Sequence, residues 1–130
     1  MAMLRELRYV DRRVVEVLEG LGIHSLWELA ELAVAPRDRR RLARRAGVGE
    51  GELLKLVRIA DMCRVARLEL AELLVEAGVH TPLELAYRSP EHVYAIVVEK
   101  AGELGAEPPS LEEVREAWER ARGLPRLFIY

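Results

Sequence analysis

Only four Ser or Thr hydroxyls occur in the 130 residues, and their positions constrain the fold more than any other feature. Ser25-Leu26-Trp27-Glu28, Thr81-Pro82-Leu83-Glu84 and Ser110-Leu111-Glu112-Glu113 all read S/T-x-x-E ahead of an apolar-periodic stretch. This is the capping-box pattern. The hydroxyl accepts from a free backbone N–H of the first helical turn, and the glutamate reaches back to the cap N–H. Ser89-Pro90 places a cap before a proline at the first helical position, where a missing N–H costs nothing. Gly22, Gly47, Gly78 and Gly123 each come after a periodic run, as left-handed helix ends require.

These starts and stops predict eight or nine short helices near 3–8, 11–20, 26–34, 36–46, 50–63, 67–77, 82–88, 90–104 and 111–122. In the last, Leu111, Val114, Trp118 and Ala121 form one stripe, with Glu116–Arg120 and Glu119–Arg122 paired outside it. Leu53, Val57 and Ala60 form a second stripe that ends at Arg64. Val93 to Val98 has strand propensity, but its cap and its continuation to Ala101 and Leu104 favour a buried helix. No alternating hairpin pair occurs, so the chain reads as all-α.

The chain reads as a single compact domain, 1–130, made of two related halves, about 1–65 and 66–130. Val15–Ala30 (VEVLEGLGIHSLWELA) and Ala71–Ala86 (AELLVEAGVHTPLELA) share seven of sixteen positions at an offset of 56 residues. Such units normally pack on each other, because neither buries its apolar face alone.

Composition narrows the setting. Charged residues at 32 % beside 51 % apolar residues describe a folded chain. No apolar run approaches the roughly 18 residues of a membrane span, and residues 1–13 lack the apolar core of a secretory signal. One cysteine forms no intramolecular disulfide, which points to a reducing cytoplasm. The absence of Asn and Gln points to a thermophile, although a GC-rich genome gives the same bias. Residues 1–67 carry a net +4 and residues 68–130 a net −6, so an anionic partner, a head-to-tail contact or mutual attraction is expected.

In helix-hairpin-helix proteins the unit L-x-x-x-G-[IV]-x-[ST]-x-x-E-L stands directly after the hairpin. Leu53 to Val65 (LLKLVRIADMCRV) resembles the core of a bacterial and archaeal domain-of-unknown-function family with two helix-hairpin-helix-like motifs. The similarity continues through Ala77–Thr81, Glu84–Ala86, Arg88–Glu91, Pro109–Leu111, Trp118, Ala121, Leu124–Arg126 and Tyr130, nearly the whole chain. It implies a duplicated helix-hairpin-helix-like (SAM-domain-like) bundle. It also implies G-x-G hairpins whose N–H groups approach a phosphate. Here the first hairpin reads Tyr9-Val10-Asp11-Arg12 and the second Ala66-Arg67-Leu68-Glu69-Leu70, neither with a glycine. Asp11 would also repel phosphate. Both cradles read as lost and the scaffold as kept.

Eighteen of the 20 basic residues are arginine, the group positioned in quantity to meet a partner. Arg37, Arg39, Arg40, Arg41, Arg44 and Arg45 lie within nine residues after Pro36. With Arg12, Arg13, Arg64 and Arg67 they form a candidate surface for a nucleic-acid backbone. The plainer reading is a solvated face pairing with acidic residues. No aromatic lies in the run, which argues against base stacking.

His24, His80 and His92 with Cys63 have no metal-binding spacing, so no metal or other cofactor is expected. Cys63 has apolar neighbours and no histidine close in sequence, which favours a small buried hydrophobe over a nucleophile. Glu112, Glu113, Glu116 and Glu119 read as a solvated face. With the Ser and Thr hydroxyls assigned to caps, an enzyme and a small-molecule substrate are not expected. Leu127, Phe128, Ile129 and Tyr130 form an apolar tail that docks on its own core, enters a partner or makes a dimer. The leading expectation is a non-enzymatic protein-interaction module with an unknown partner or self-association. The alternative is sequence-independent nucleic-acid binding.

Overall fold

A computed structural model describes residues 2–130. Among the described residues eight α-helices run α1 (Arg12–Gly20), α2 (Leu26–Leu32), α3 (Pro36–Ala46), α4 (Glu50–Met62), α5 (Leu68–Glu76), α6 (Pro82–Tyr87), α7 (Pro90–Leu104) and α8 (Leu111–Ala121). There is no strand among the described residues, so the protein is all-α. The helix expected at 3–8 is instead a single 3-10 turn, Leu4–Glu6. Extended backbone at Met3 bridges Ser25, and the Leu4 N–H donates to His24 O at 2.8 Å. That sideways pairing replaces the axial bonds a helix would need there.

All four Ser and Thr hydroxyls cap helices. Ser25, Thr81, Ser89 and Ser110 accept from the backbone N–H of Glu28, Glu84, His92 and Glu113, at 3.1 to 3.2 Å. The glutamates behave less uniformly. Glu28 closes a full capping box, accepting from Ser25 N–H at 3.0 Å. Glu84 accepts from His80 N–H instead of the Thr81 N–H. Glu113 turns outward to Arg67. A carboxylate three residues past a cap takes the strongest donor within reach, and a guanidinium offers two N–H groups at once. The first helix carries a cap that no hydroxyl supplies: the Asp11 carboxylate accepts from Arg13 N–H at 2.9 Å.

The two similar segments terminate their helices alike. Ile23 N–H donates to Leu18 O at 3.0 Å, and Val79 N–H donates to Leu74 O at 2.9 Å. The glycines between, Gly22 and Gly78, sit at φ 85° and 93°. Other residues reach that region only with strain, so the reversal needs glycine at both places.

The chain divides into two compact units, Met1–Ala60 with Arg126–Tyr130, and Asp61–Pro125. In the first, α2 packs on α3, and Leu4, Leu18, Leu29, Leu53 and Val57 are completely buried. In the second, α8 packs on α6 and α7, and α7 on α5. Val93, Val97 and Ala101 bury one side of α7 at every fourth residue, while Val114, Ala117 and Ala121 bury one side of α8. The Trp118 indole N–H donates to Arg88 O at 2.8 Å, giving the ring's polar end a partner. Outside α8, Glu116 faces Arg120 at 3.9 Å and Glu119 faces Arg122 at 3.6 Å, as the spacing predicts.

Candidate interface on helix α3

Helix α3 begins with Pro36 at its first position and ends at Gly47 in the left-handed conformation. Its inner side is sparse: Arg39, Leu42 and Ala43 are its buried residues. At about 100° per residue, Arg37, Arg40, Arg41, Arg44 and Arg45 fall on the opposite side, within an arc of roughly 140°. All five are exposed and line one open depression. From Arg37 to Arg45 the axis rises about 12 Å.

None of these five guanidiniums has a hydrogen bond or ion pair among the described residues. Elsewhere arginines find carboxylates: Arg5 with Glu19, Arg67 with Glu113 and Glu69, Arg115 with Glu91. Within α3, five pairs of like charges stand three or four residues apart. Each such pair costs a helix about 0.2–0.5 kcal/mol. Arg44 and Arg45 recover a fraction of this at the negative end of the helix dipole.

Arg39 does not belong to this surface, which corrects the expectation from the run. It is 5 % exposed. Its Nη1 donates to Ala33 O at 3.0 Å and to Val34 O at 3.4 Å, and its Nη2 donates to Ile129 O at 2.8 Å. Tyr130 presents its ring 5.8 Å from the guanidinium carbon. Burial lowers the Arg39 pKa from its usual value, and Tyr130 raises it. A signal was present: 39, 42, 43 and 46 share helical spacing, which turns Arg39 inward with Leu42.

The apolar tail docks on the first unit. Phe128 is 3 % exposed and meets Trp27 edge-on, with ring centres 6.2 Å apart. Ile129 N–H donates to Val34 O at 3.0 Å. Leu127, Ile129 and Tyr130 remain partly in solvent.

The other candidate arginines are placed differently. Arg12 donates to the carbonyls of Arg5 and Leu7, closing the turn before α1. Arg13 is exposed, on α1. In the second unit, Arg64 holds Asp61 at 2.8 Å and Pro125 O at 2.6 Å. Arg67 is held by Glu113, whose hydrogen bond raises its pKa. Arg12, Arg64 and Arg67 are thus engaged within the protein, and the unengaged cluster is the α3 five.

Other chemistry is scarce. His24 Nδ1 lies 4.0 Å from Glu19, and among the described residues no three His, Cys, Asp or Glu side chains could hold a metal. Cys63 is half-buried; burial, with Glu72 and Glu69, pushes its thiol up to about 11. It is therefore protonated at neutral pH and a poor nucleophile. No helix among the described residues is long and apolar enough to cross a membrane.

No curated protein and no solved structure matches the chain. A family model matches residues 9–124, which hold all eight helices but not the docked tail. By that match the chain belongs to the family described as Domain of unknown function (DUF4332).

Proposed function

We propose that the protein is a non-enzymatic interaction module that docks an anionic partner on the outer face of α3. The observation that carries this is five exposed guanidiniums in one arc, none held in an ion pair among the described residues, with Asp38 the one carboxylate on the helix. Mutual repulsion disfavours such an arrangement in the free protein, and an anion laid across it removes the repulsion. The non-enzymatic part is supported by the Ser and Thr hydroxyls, all engaged as helix caps, and by the protonated thiol of Cys63.

The helix-hairpin-helix-like scaffold takes a new role in this reading. A phosphate in a hairpin of that kind would use the free N–H groups at the next helix start. At α1, the Asp11 carboxylate already accepts one of them, and Arg12 and Lys55 fill the carbonyls of Leu7 and Tyr9. The hairpin is turned to internal use, and the contact surface moves to α3.

The test is titration calorimetry with inorganic polyphosphate at low salt, on the native chain and on an Arg40→Glu, Arg44→Glu double variant. Saturable binding that the variant loses supports the reading. No binding, or equal binding by the variant, rejects it.

A further inference from the structure

We infer that the partner of the α3 face is the phosphate backbone of duplex nucleic acid, contacted without reading sequence. This rests on the reading of α3 as an anion-binding face and names its partner.

The exposed face of α3 contains no apolar anchor. Large hydrophobic side chains are exposed at Val17, Trp27, Leu32, Leu83, Tyr87 and Leu104, and in the tail, but nowhere between residues 36 and 46. Protein partners dock around a desolvated apolar or aromatic centre, with charge at the rim. A polyanion needs no such centre, because its binding is driven by release of condensed counterions. A face of five arginines, with only Asp38 at its edge, therefore fits a polyelectrolyte better than an acidic protein.

The basic side chains of the face are all arginine, whose planar fork matches phosphate oxygens in pairs. They run as a stripe along the helix, about 12 Å long. A strand of duplex DNA carries a charge about every 3.4 Å along its axis, so the stripe spans three to four phosphates of one strand. Single strands are held by aromatic platforms on which bases stack. No aromatic residue lies within α3, so the face offers a single strand only charge. The duplex has the higher charge density and is the preferred form.

The test is fluorescence anisotropy with three labelled probes: a mixed-sequence DNA duplex, one of its strands alone, and polyglutamate of equal charge. Each is titrated from about 50 to about 200 mM salt. With three to four phosphates engaged, the slope of log K against log salt is about −2.7 to −3.6, a loss of about 40- to 150-fold over that range. Arg40→Gln and Arg44→Gln, both on exposed positions, each reduce the slope by about 1. Circular dichroism checks that the variants are folded. Duplex binding at least tenfold tighter than polyglutamate, and tighter than the single strand, is the expected result. If polyglutamate or the single strand binds as well or better, the duplex assignment is overturned while the anion-binding face stands. If the slope ignores both substitutions, the duplex is bound elsewhere and the assignment to α3 fails. If no probe binds at about 20 mM salt, the anion-binding reading itself falls.

Discussion

Replacing Arg39 with alanine tests how α3 is held. The substitution removes two good charge-assisted hydrogen bonds, to Ala33 O at 3.0 Å and Ile129 O at 2.8 Å, and a weaker one to Val34 O. Bonds from a charged donor contribute about 1.5–3 kcal/mol each. The two losses differ. Ala33 is fully buried, so its carbonyl is left without water. Ile129 is mostly exposed, so its carbonyl rehydrates, and Val34 O keeps the Ile129 N–H. Relief of the buried charge offsets part of the total. The expected destabilisation is therefore about 2–4 kcal/mol, with cavity formation included. For a chain of this size that lowers Tm by roughly 6–20 °C. Urea denaturation monitored by far-ultraviolet circular dichroism measures the change, and amide exchange reads the Ile129 N–H directly. Arg39→Met keeps most of the volume and isolates the hydrogen bonds. A loss under about 1 kcal/mol would refute the reasoning.

The same contacts set three further outcomes. Arg41 has like charges three or four residues away at Arg37, Arg44 and Arg45 and one opposite charge at Asp38, so Arg41→Gln raises stability by about 0.4–1 kcal/mol, an effect that shrinks in high salt; a loss of stability in thermal melts argues against repulsion. Ser25→Ala costs about 1–2 kcal/mol because it breaks a closed capping box, while Ser110→Ala, whose Glu113 faces Arg67, costs about 0.5–1 kcal/mol; denaturation midpoints check the order. Cys63 has a folded-state pKa raised from 9.0 to about 11, so its contribution to stability is full below pH 9 and is lost as pH rises through 11. Alkylation by iodoacetamide should climb without a plateau up to about pH 11, whereas a plateau near 9 would show an unshifted thiol.

Helix positions were legible where a start is marked by a residue with one local task; the starts of α3 and α5 carry no side-chain cap. A hydroxyl binds an N–H three residues on, so Ser25, Thr81, Ser89 and Ser110 report their structure without knowledge of the rest of the chain. The 3-10 turn at Leu4–Glu6 was not legible, since it depends on pairing with Ser25, far along the chain. The α3 face shows the same division. Helical spacing sets five arginines on one side and turns Arg39 to the other, yet what Arg39 binds is a carbonyl 90 residues away. Glu113 likewise reads as half of a capping box until Arg67 is brought beside it. Local bonds can be inferred from spacing; bonds chosen by competition among distant partners cannot.

The clasp between Arg39 and the tail has a consequence for synthesis. The helix that carries the arginine face is made early, but its Arg39 waits for Ile129. At about 5–20 residues per second the gap is roughly 5–20 s, during which α3 lacks its tail hydrogen bond and Trp27 on α2 lacks the cover of Phe128. An emerging chain therefore displays an arginine-rich segment whose docking is unfinished, close to the polyphosphate surface of the ribosome. Arrival of Ile129 gives Arg39 the hydrogen bond that ties this basic segment to the tail.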